Sequence, residues 1–312
     1  MKTALIFSRG IRNTPHLSAF LPDYDLKKTK PPQTVIGWGY KPTADKARAF
    51  AAAHNLPYTA LEDGFLRSLG LGVEGYPPLS LIIDDIGIYY NTAQPSRLEQ
   101  LIMQADRLPA EISAQAETAM RLIVGNRLSK YNHAADFAET DASKRPSEKP
   151  IVLLIDQTAG DMAVQYGGAD EQTFQTMFQT ALQENPQAEI WIKTHPDVLS
   201  GKRKGYLTDI AQQGNIRLLA EDIHPISLLQ QVDKVYCVTS QMGFEALLCG
   251  KPVTTFGLPW YAGWGVCDDR HPDIAKLEQS GRRTGRTLTQ LFAAAYLQYS
   301  RYINPNTGQS GT

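Results

Sequence analysis

Residues 151–161 read Ile-Val-Leu-Leu-Ile-Asp-Gln-Thr-Ala-Gly-Asp, and this stretch indicates the fold class. Its first five residues, Ile151–Ile155, form an uninterrupted apolar run, which is typical of a strand buried on both faces of a parallel sheet. Apolar residues then recur at helical spacing, at Phe174, Phe178 and Ala181, and they predict an amphipathic helix. A buried strand, a polar loop and a helix in this order are typical of α/β proteins.

The same alternation continues in both directions along the chain. The predicted elements are strands at 4–7, 34–38, 58–61, 79–84, 189–193, 216–219 and 234–238, a strand opening at 251–253, and helices at 43–55, 96–105, 111–124, 242–249 and 288–295. Strands that alternate with helices favour parallel sheets covered on both faces. The sequence therefore predicts an α/β protein with two doubly wound, Rossmann-like domains and a cleft between them.

A polar segment divides the two halves of this pattern. Residues Glu139–Pro150 carry charged residues, serines and two prolines, which is typical of a hinge between domains. A surface loop within one domain is the alternative. The predicted limits are an N-terminal domain over 1–145, a second domain over 146–302 and a linker or tail over 303–312, as expected for one module of a longer protein.

The composition narrows the functional class. The chain of 312 residues is 42% hydrophobic and 20% charged, and 31 Lys and Arg against 32 Asp and Glu give a net charge of −1. These values argue against a disordered chain and against a dominant nucleic-acid surface, so no nucleic-acid partner is expected. Three cysteines without a CxxC pair predict neither a disulfide framework nor a structural zinc site.

No apolar run approaches the length of a membrane span, so we predict a soluble, cytoplasmic protein. Lys27, Lys28 and Lys30 form a small basic cluster. Such a cluster is consistent with a solvated surface, and an anionic acceptor or a membrane surface is the alternative. Peripheral contact with the inner face of the cytoplasmic membrane stays open on this basis.

Polar residues follow the predicted strands at their carboxyl ends, where ligands bind in doubly wound sheets. Asp156 and Asp161 follow the strand 151–155. Either could stabilise a turn, and a carboxylate there could also attack a sugar anomeric carbon. Glu62 precedes Asp63 and Gly64, a pattern that indicates either a turn or a general base.

Two further strand ends carry groups suited to a phosphate. Lys193 and His195 lie in Lys-Thr-His-Pro, where the pair could hold or protonate a phosphate leaving group, or the histidine could face solvent. Thr239 and Ser240 lie where a strand meets a helix, and free backbone N–H groups there suit a phosphate, although an ordinary helix cap is the alternative.

The helix that follows extends this second site. Gly243 would allow close backbone approach, and Glu245 lies one turn into the helix, where it could accept hydrogen bonds from ribose hydroxyls. Together with the residues up to Val253, this stretch resembles the nucleotide-binding helix and following strand of GT-B glycosyltransferases. The predicted fold is therefore GT-B-like.

Other polar or aromatic groups are less specific. Asp84 and Asp85 are expected to have a structural or acceptor-side role, and the loop around His271 is interpreted as surface rather than as a metal site. Trp260–Gly265 is an aromatic loop that could stack a base or sugar, contact lipid headgroups, or pack in the core. No metal site is predicted from these residues.

Seven stretches together resemble one family, the retaining β-Kdo glycosyltransferases that build the linker of bacterial capsular polysaccharides (the KpsC/LipA type, N-terminal transferase module). These stretches are Phe7–Gly10, Glu62–Ser68, Pro77–Tyr90, Asp156–Asp161, Lys193–Pro196, Ser240–Val253 and Trp260–Gly265. The resemblance covers nearly the whole chain. It implies a CMP-Kdo donor, retention of the β configuration, double displacement through a covalent Asp-Kdo adduct, and no metal or other cofactor.

The same resemblance implies roles for individual residues. Asp161 would be the nucleophile, His195 with Lys193 would stabilise the departing phosphate, and Glu62 would be the base. The residues expected to hold the donor are Gln157, Lys193, Thr239, Ser240, Gly243 and Glu245, and those expected to hold the acceptor are Arg9, Arg67 and Ser68. The acceptor would be a Kdo-terminated lyso-phosphatidylglycerol glycolipid, bound on the N-terminal domain, and the natural chain could carry a second transferase module.

Two other functions stay open. A CDP-glycerol-dependent glycerophosphotransferase would also use His-Pro loops, but its chemistry needs no carboxylate nucleophile such as Asp161. A noncatalytic module that binds a nucleotide sugar or glycan would bind CMP without turnover.

Overall fold

A computed structural model describes residues 1–27, 30–70, 75–130, 132–139, 148–194, 198, 201–208, 210, 214–219 and 221–311. His195, Lys28 and residues 140–147 of the predicted hinge lie outside these described residues. The strands, in chain order, are β1 (Lys2–Ile6), β2 (Tyr24–Asp25), β3 (Thr34–Trp38), β4 (Tyr58–Asp63), β5 (Ser80–Asp84), β6 (Ile151–Ile155), β7 (Glu189–Lys193), β8 (Ile216–Leu219), β9 (Lys234–Cys237), β10 (Val253–Thr255), β11 (Asp268–Asp269) and β12 (Ser300–Tyr302).

The helices of the described residues alternate with these strands. In chain order they are α1 (Arg9–Arg12), α2 (Leu17–Phe20), α3 (Asp45–Ala53), α4 (Arg97–Gln104), α5 (Ala110–Gly125), α6 (Met162–Tyr166), α7 (Glu171–Glu184), α8 (Pro225–Leu229), α9 (Gln241–Leu248), α10 (Ile274–Gln279) and α11 (Leu288–Phe292), which continues as a π-helix over Ala293–Tyr299. The α/β fold class predicted from the sequence is confirmed.

The chain forms two compact units. The first contains Met1–Ala116, Lys130–Asn132 and Phe292–Thr312, and the second contains Glu117–Ser129 and His133–Leu291. These limits differ from the predicted ones in two places. The described residues 117–129 and 133–139 were predicted in the N-terminal domain and group with the second unit. Residues 292–302 were predicted in the second domain and group with the first unit.

The first unit contains a mixed six-stranded sheet in the order β12-β5-β4-β3-β1-β2. β1 pairs in parallel with β2 and β3, and β3 pairs in parallel with β4, whereas β5 is antiparallel to β4. The direction of β5 differs from the parallel arrangement expected for residues 79–84. A parallel return needs a crossover, usually a helix, and the described residues 64–70 and 75–79 contain none.

The C-terminal segment completes this sheet. β12 pairs antiparallel with β5, and the backbone N–H of Ile303 donates to the Leu79 carbonyl at 3.0 Å. Ile303 is buried, although residues 303–312 were expected to form a linker. The sequence of this segment has no regular apolar period, so its one buried isoleucine carried no signal.

The second unit contains a parallel sheet in the order β11-β10-β9-β6-β7-β8. All five residues of β6 are at most 3% exposed, which confirms that Ile151–Ile155 is buried on both faces. The predicted helical face of α7 packs in the same core, where Phe174, Met177, Phe178 and Ala181 are buried.

The aromatic loop Trp260–Gly265 packs in the core of the second unit. Trp260, Tyr261 and Trp264 are buried, and the Trp264 Nε1–H donates to the Trp260 carbonyl at 2.9 Å. The Phe244 ring of α9 lies 4.5 Å from the Trp260 ring, measured between centroids. The core interpretation of this loop is therefore confirmed. Across the described part of the chain, no helix has both the length and the apolarity that crossing a membrane requires.

Candidate active site

Three polar residues meet where β6 and β9 end in the second unit. The Gln157 Nε2 donates to Asp161 Oδ2 at 3.1 Å and to Thr239 Oγ1 at 3.0 Å. In return, the Thr239 backbone N–H donates to Gln157 Oε1 at 3.0 Å. Gln157 and Thr239 are buried, and Asp161 is partly exposed. The structure therefore places three of the predicted site residues in one hydrogen-bonded group, and an accessible carboxylate lies at its edge.

Asp161 begins the helix that follows this loop. Its Oδ1 accepts the backbone N–H of Ala163 at 2.9 Å, which makes it the N-cap of α6. The turn interpretation from the sequence is thus correct. The nucleophile interpretation is compatible with this cap, because the cap uses Oδ1 and the other oxygen, Oδ2, accepts from the Gln157 side-chain amide.

Asp156 has a different environment from Asp161. It is 4% exposed, and its carboxylate accepts backbone N–H groups from Gln157 at 2.8 Å, Tyr206 at 3.0 Å and Leu207 at 3.3 Å. Burial raises the pKa of Asp156 from 3.8 to about 6, and these N–H groups oppose the rise. Asp156 therefore holds the loop at 206–207 against β6, and its oxygens face protein backbone.

The raised pKa of Asp156 predicts a pH-dependent stability. Because the folded state binds this proton more tightly than the unfolded chain, the contribution is full below about pH 4 and is lost as pH rises through about 6. Relative to Asp156→Asn, the wild type should gain about 1 kcal/mol in free energy of unfolding between about pH 7 and about pH 5. Urea unfolding of both proteins at the two pH values measures this difference, and equal slopes with pH would contradict it.

The start of α9 is a capped helix terminus. The Ser240 side chain accepts the Met242 N–H at 3.2 Å, so the ordinary cap predicted as an alternative is present. Gly243 is required by packing, because a Cβ there would lie 2.1 Å from Tyr261 Oη and 2.6 Å from Cys237 Sγ. The close approach that needs Gly243 is therefore made by Tyr261, and a direct contact of Gly243 with a donor stays a prediction.

Glu245 and Lys193 are buried in the same unit. Glu245 Oε1 accepts the Ser129 hydroxyl at 2.5 Å. The Lys193 Nζ donates to the carbonyls of Thr194 at 3.2 Å and Glu221 at 3.3 Å. Burial lowers the pKa of Lys193, and the charge of Asp222 opposes this shift. His195 lies outside the described residues, so its predicted role beside Lys193 stays a prediction.

The predicted base lies in the first unit, near the end of β4. Glu62 is 6% exposed, and its Oε1 lies 3.3 Å from Lys41 Nζ. Gly39, which has a φ of 52°, leaves room for this group, because a Cβ there would lie 3.1 Å from Glu62 Oε2 and 2.3 Å from Tyr90 Oη. Burial and the charge of Glu62 raise the pKa of Tyr90. The carboxylate thus lies among a cation and a phenol at a strand end.

The predicted acceptor residues belong to the same unit. Arg67 donates from Nε to Asp63 Oδ1 at 2.9 Å and from Nη1 to Ser68 Oγ at 2.6 Å. Ser68 donates to the Gly70 carbonyl at 2.6 Å. Arg9 begins α1 and is exposed. Arg67 and Ser68 are therefore tied into their own loop, and Arg9 is the predicted acceptor residue with an exposed side chain.

Asp84 has a structural role. It is fully buried, and its carboxylate accepts the N–H groups of Ile86, Gly87 and Arg97 and the Tyr299 hydroxyl at 2.7 Å. Asp85 pairs with Arg97 at 2.7 Å. These contacts bind the start of α4 to the end of β5, in agreement with the structural alternative.

The chain is similar to known proteins in both sequence and fold. Residues 33–302 match the model of the family described as capsule polysaccharide biosynthesis protein. The chain belongs to this family. Among the relatives of this family member, the capsule polysaccharide modification protein LipA of Neisseria meningitidis serogroup B is 67% identical over 313 residues, which is 100% of this chain and 44% of LipA. The chain therefore spans less than half the length of that relative.

Two solved structures resemble this capsule-synthesis family member. Thermosulfurimonas dismutans KpsC, beta Kdo 2,4 transferase, superposes with a TM-score of 0.88 at 46% identity, over 100% of this chain and 95% of that one. The KpsC beta Kdo 2,7 transferase of the same organism superposes with a TM-score of 0.66 at 24% identity, with the same coverage. The second likeness shows the fold alone, whereas the first extends to sequence along the full chain.

The sequence did not identify several residues that surround or bind the predicted site residues. Lys41 and Tyr90 surround Glu62, and Ser129 binds Glu245 across 116 positions of the chain. The sequence offered no period that brings these positions together. The position of Lys41 gave a weak indication of this contact. Lys41 lies shortly after the end of β3, and Glu62 lies near the end of β4. Among the described residues, no group of three His, Cys, Asp or Glu side chains is arranged to hold a metal ion.

Proposed function

We propose that this chain is a retaining β-Kdo transferase that moves Kdo from CMP-Kdo to a Kdo-terminated glycolipid in capsule linker synthesis. The family and the 46% identity over the full chain with the KpsC beta Kdo 2,4 transferase support this activity. The same likeness supports a 2,4 linkage in the product. We propose that transfer needs no metal and takes place at the cytoplasmic face of the membrane.

One observation carries the proposed mechanism. The Asp161 carboxylate lies at the start of α6, partly exposed, and Gln157 connects it to Thr239 just before α9. A carboxylate nucleophile and a helix start suited to a phosphate must be neighbours if a sugar is to leave its nucleotide. We propose Asp161 rather than Asp156 for this role, because Asp156 is buried and its oxygens accept backbone N–H groups.

The reaction would proceed in two displacements. In the first, an Asp161 oxygen attacks C2 of Kdo, the bond from C2 to the phosphate oxygen breaks, and CMP leaves with the electron pair. Because C2 of Kdo is quaternary and carries a carboxylate, crowding favours an oxocarbenium-like transition state, which the Asp161 charge stabilises. In the second, the acceptor hydroxyl attacks C2 from the vacated face, loses its proton to the base and releases Asp161. Two inversions retain the β configuration.

The other residues of the second unit would bind the donor. Lys193 lies at the end of β7, and we propose that it acts with His195 on the departing phosphate. Ser240 and Thr239 would contact the phosphate at the start of α9, and Glu245 with Ser129 would face the ribose. A carboxylate accepts hydrogen bonds from hydroxyls, and Glu245 already accepts one from Ser129 at 2.5 Å.

The first unit would supply the acceptor groups. We propose Glu62 as the base and Arg9, Arg67 and Ser68 as contacts to a lyso-phosphatidylglycerol-linked Kdo acceptor. Arg9 offers an exposed guanidinium for the acceptor carboxylate, whereas Arg67 and Ser68 would shape the loop that follows β4. The LipA relatives are more than twice as long as this chain, and we propose that the remaining length holds a second transferase module.

A donor comparison tests the proposed function. The protein is incubated with a Kdo-terminated acceptor and, in separate reactions, with CMP-Kdo, CMP-sialic acid or CDP-glycerol, with and without a metal chelator. Among the three donors, we expect only CMP-Kdo to give product, and the chelator should not lower the yield. NMR of the product should show a β-(2,4) linkage. Turnover of CDP-glycerol would support the glycerophosphotransferase instead. Binding of CMP without turnover of any donor would support a noncatalytic module.

A further inference from the structure

The orientation of the Gln157 side-chain amide is fixed by its partners. The Thr239 backbone N–H, 3.0 Å away, can only donate, so the amide atom facing it must be the oxygen Oε1. The nitrogen Nε2 then faces Asp161 Oδ2 and Thr239 Oγ1, at 3.1 and 3.0 Å. Both Nε2 hydrogens have acceptors in this arrangement. Gln157 is 6% exposed, so water does not compete strongly for these bonds.

The consequence for Asp161 is a carboxylate held by two donors. Oδ1 is held by the Ala163 N–H at 2.9 Å and Oδ2 by the Gln157 amide at 3.1 Å. One donor alone would leave the carboxylate free to rotate about its terminal bond, since that torsion is broad. Two donors, one on each oxygen, fix the plane of the group. A fixed plane determines where the attacking lone pair points.

We propose that Gln157 is a positioning residue, which aligns the Asp161 carboxylate for attack and fixes it relative to the turn at Thr239. The inference rests on the proposed function, in which Asp161 is the nucleophile and the Thr239 turn receives the donor. It differs from the donor-binding role implied by the family resemblance. In that role Gln157 contacts CMP-Kdo, whereas here its amide hydrogens are used on Asp161 and Thr239.

Two substitutions separate these roles. Gln157→Met keeps the length of the side chain and removes both hydrogen-bonding atoms. Gln157→Glu keeps an oxygen for the Thr239 N–H, but places a second carboxylate beside Asp161. Such a pair shares a proton at lower pH, and the shared proton restores a hydrogen bond to Asp161 Oδ2. Gln165→Met and Gln165→Glu are matched controls, because Gln165 is exposed on the same helix that Asp161 caps.

The measured quantities are the rate of Kdo adduct formation at saturating CMP-Kdo, by rapid quench and intact-protein mass spectrometry, and the dissociation constant of CMP. For Gln157→Met we expect the adduct rate to fall about 100-fold, with CMP affinity within about threefold of wild type. For Gln157→Glu we expect a similar loss at about pH 8 and a recovery of at least tenfold, relative to wild type, at about pH 6. The Gln165 variants should match the wild type throughout.

Four other results would contradict the positioning role of Gln157. Undiminished adduct formation in Gln157→Met overturns the positioning role and leaves the proposed function intact. Weaker CMP binding with an unchanged saturated rate assigns Gln157 to donor binding and also overturns the inference. Equal loss in both variants at every pH, with lowered melting temperatures, means a structural role only. Absence of any adduct on the wild type overturns the covalent mechanism itself, and the role of Gln157 with it.

Discussion

Asp161→Asn is expected to lower Kdo transfer by about 10³-fold or more and to abolish the covalent adduct. The neutral amide lacks the charge that stabilises an oxocarbenium-like transition state, and its oxygen is a poor nucleophile. Asparagine is a good N-cap, so α6 should still begin at residue 161 and the fold should be retained. Intact-protein mass spectrometry after mixing with CMP-Kdo measures the adduct, and a coupled assay of CMP release measures turnover.

Asp156→Asn is the matched control, because it removes the neighbouring carboxylate of the same loop. We expect it to form the adduct and to lose less than about tenfold in turnover, because the Asp156 oxygens bind the backbone of Gln157, Tyr206 and Leu207. CMP affinity of Asp161→Asn should stay near that of wild type. An adduct that forms on Asp161→Asn and is lost in Asp156→Asn would transfer the nucleophile role to Asp156.

The fold was largely predictable because its strands are short and apolar. Ile151–Ile155 could be recognised without any partner, since burial on both faces leaves no polar position in the strand. The direction of β5 and the return of β12 to the first sheet were not predictable in the same way. The direction of a strand depends on whether the connection to its neighbour contains a crossover. β12 pairs with a strand more than 200 residues earlier, and no local sequence pattern indicates such a pairing.

The site was predictable at the level of strand ends and less so at the level of contacts. Topology brings the ends of β6 and β9 together, so Gln157, Asp161 and Thr239 were correctly expected near one another. The difference between Asp156 and Asp161 depends on which backbone N–H groups surround each carboxylate, and the loop at 206–207 that supplies two of them is about 50 positions away. Gly243 shows the converse case, in which a glycine attributed to ligand approach is required by Tyr261.

Glu62→Gln is expected to separate the two displacements. Attack of Asp161 on CMP-Kdo needs no base in the first unit, so the adduct should form at the wild-type rate. Its release to the acceptor hydroxyl needs a group that takes the proton, and loss of such a base lowers the rate by about 10²–10⁴-fold. The variant should therefore accumulate the Kdo adduct in the presence of acceptor, whereas the wild type turns it over. Mass spectrometry during turnover measures the fraction of protein that carries Kdo.

The accumulated adduct is also the control for folding, because a misfolded variant would not form it. Glu111→Gln removes an exposed carboxylate of the first unit and should behave as wild type. Glutamine at residue 62 keeps the size of the side chain but loses its charge attraction to Lys41, so the melting temperature is measured alongside. Turnover at the wild-type rate in Glu62→Gln would remove Glu62 as the base. Loss of the adduct together with turnover, at an unchanged melting temperature, would instead place Glu62 in the first displacement, because a base that acts only on the acceptor cannot slow a step that precedes it.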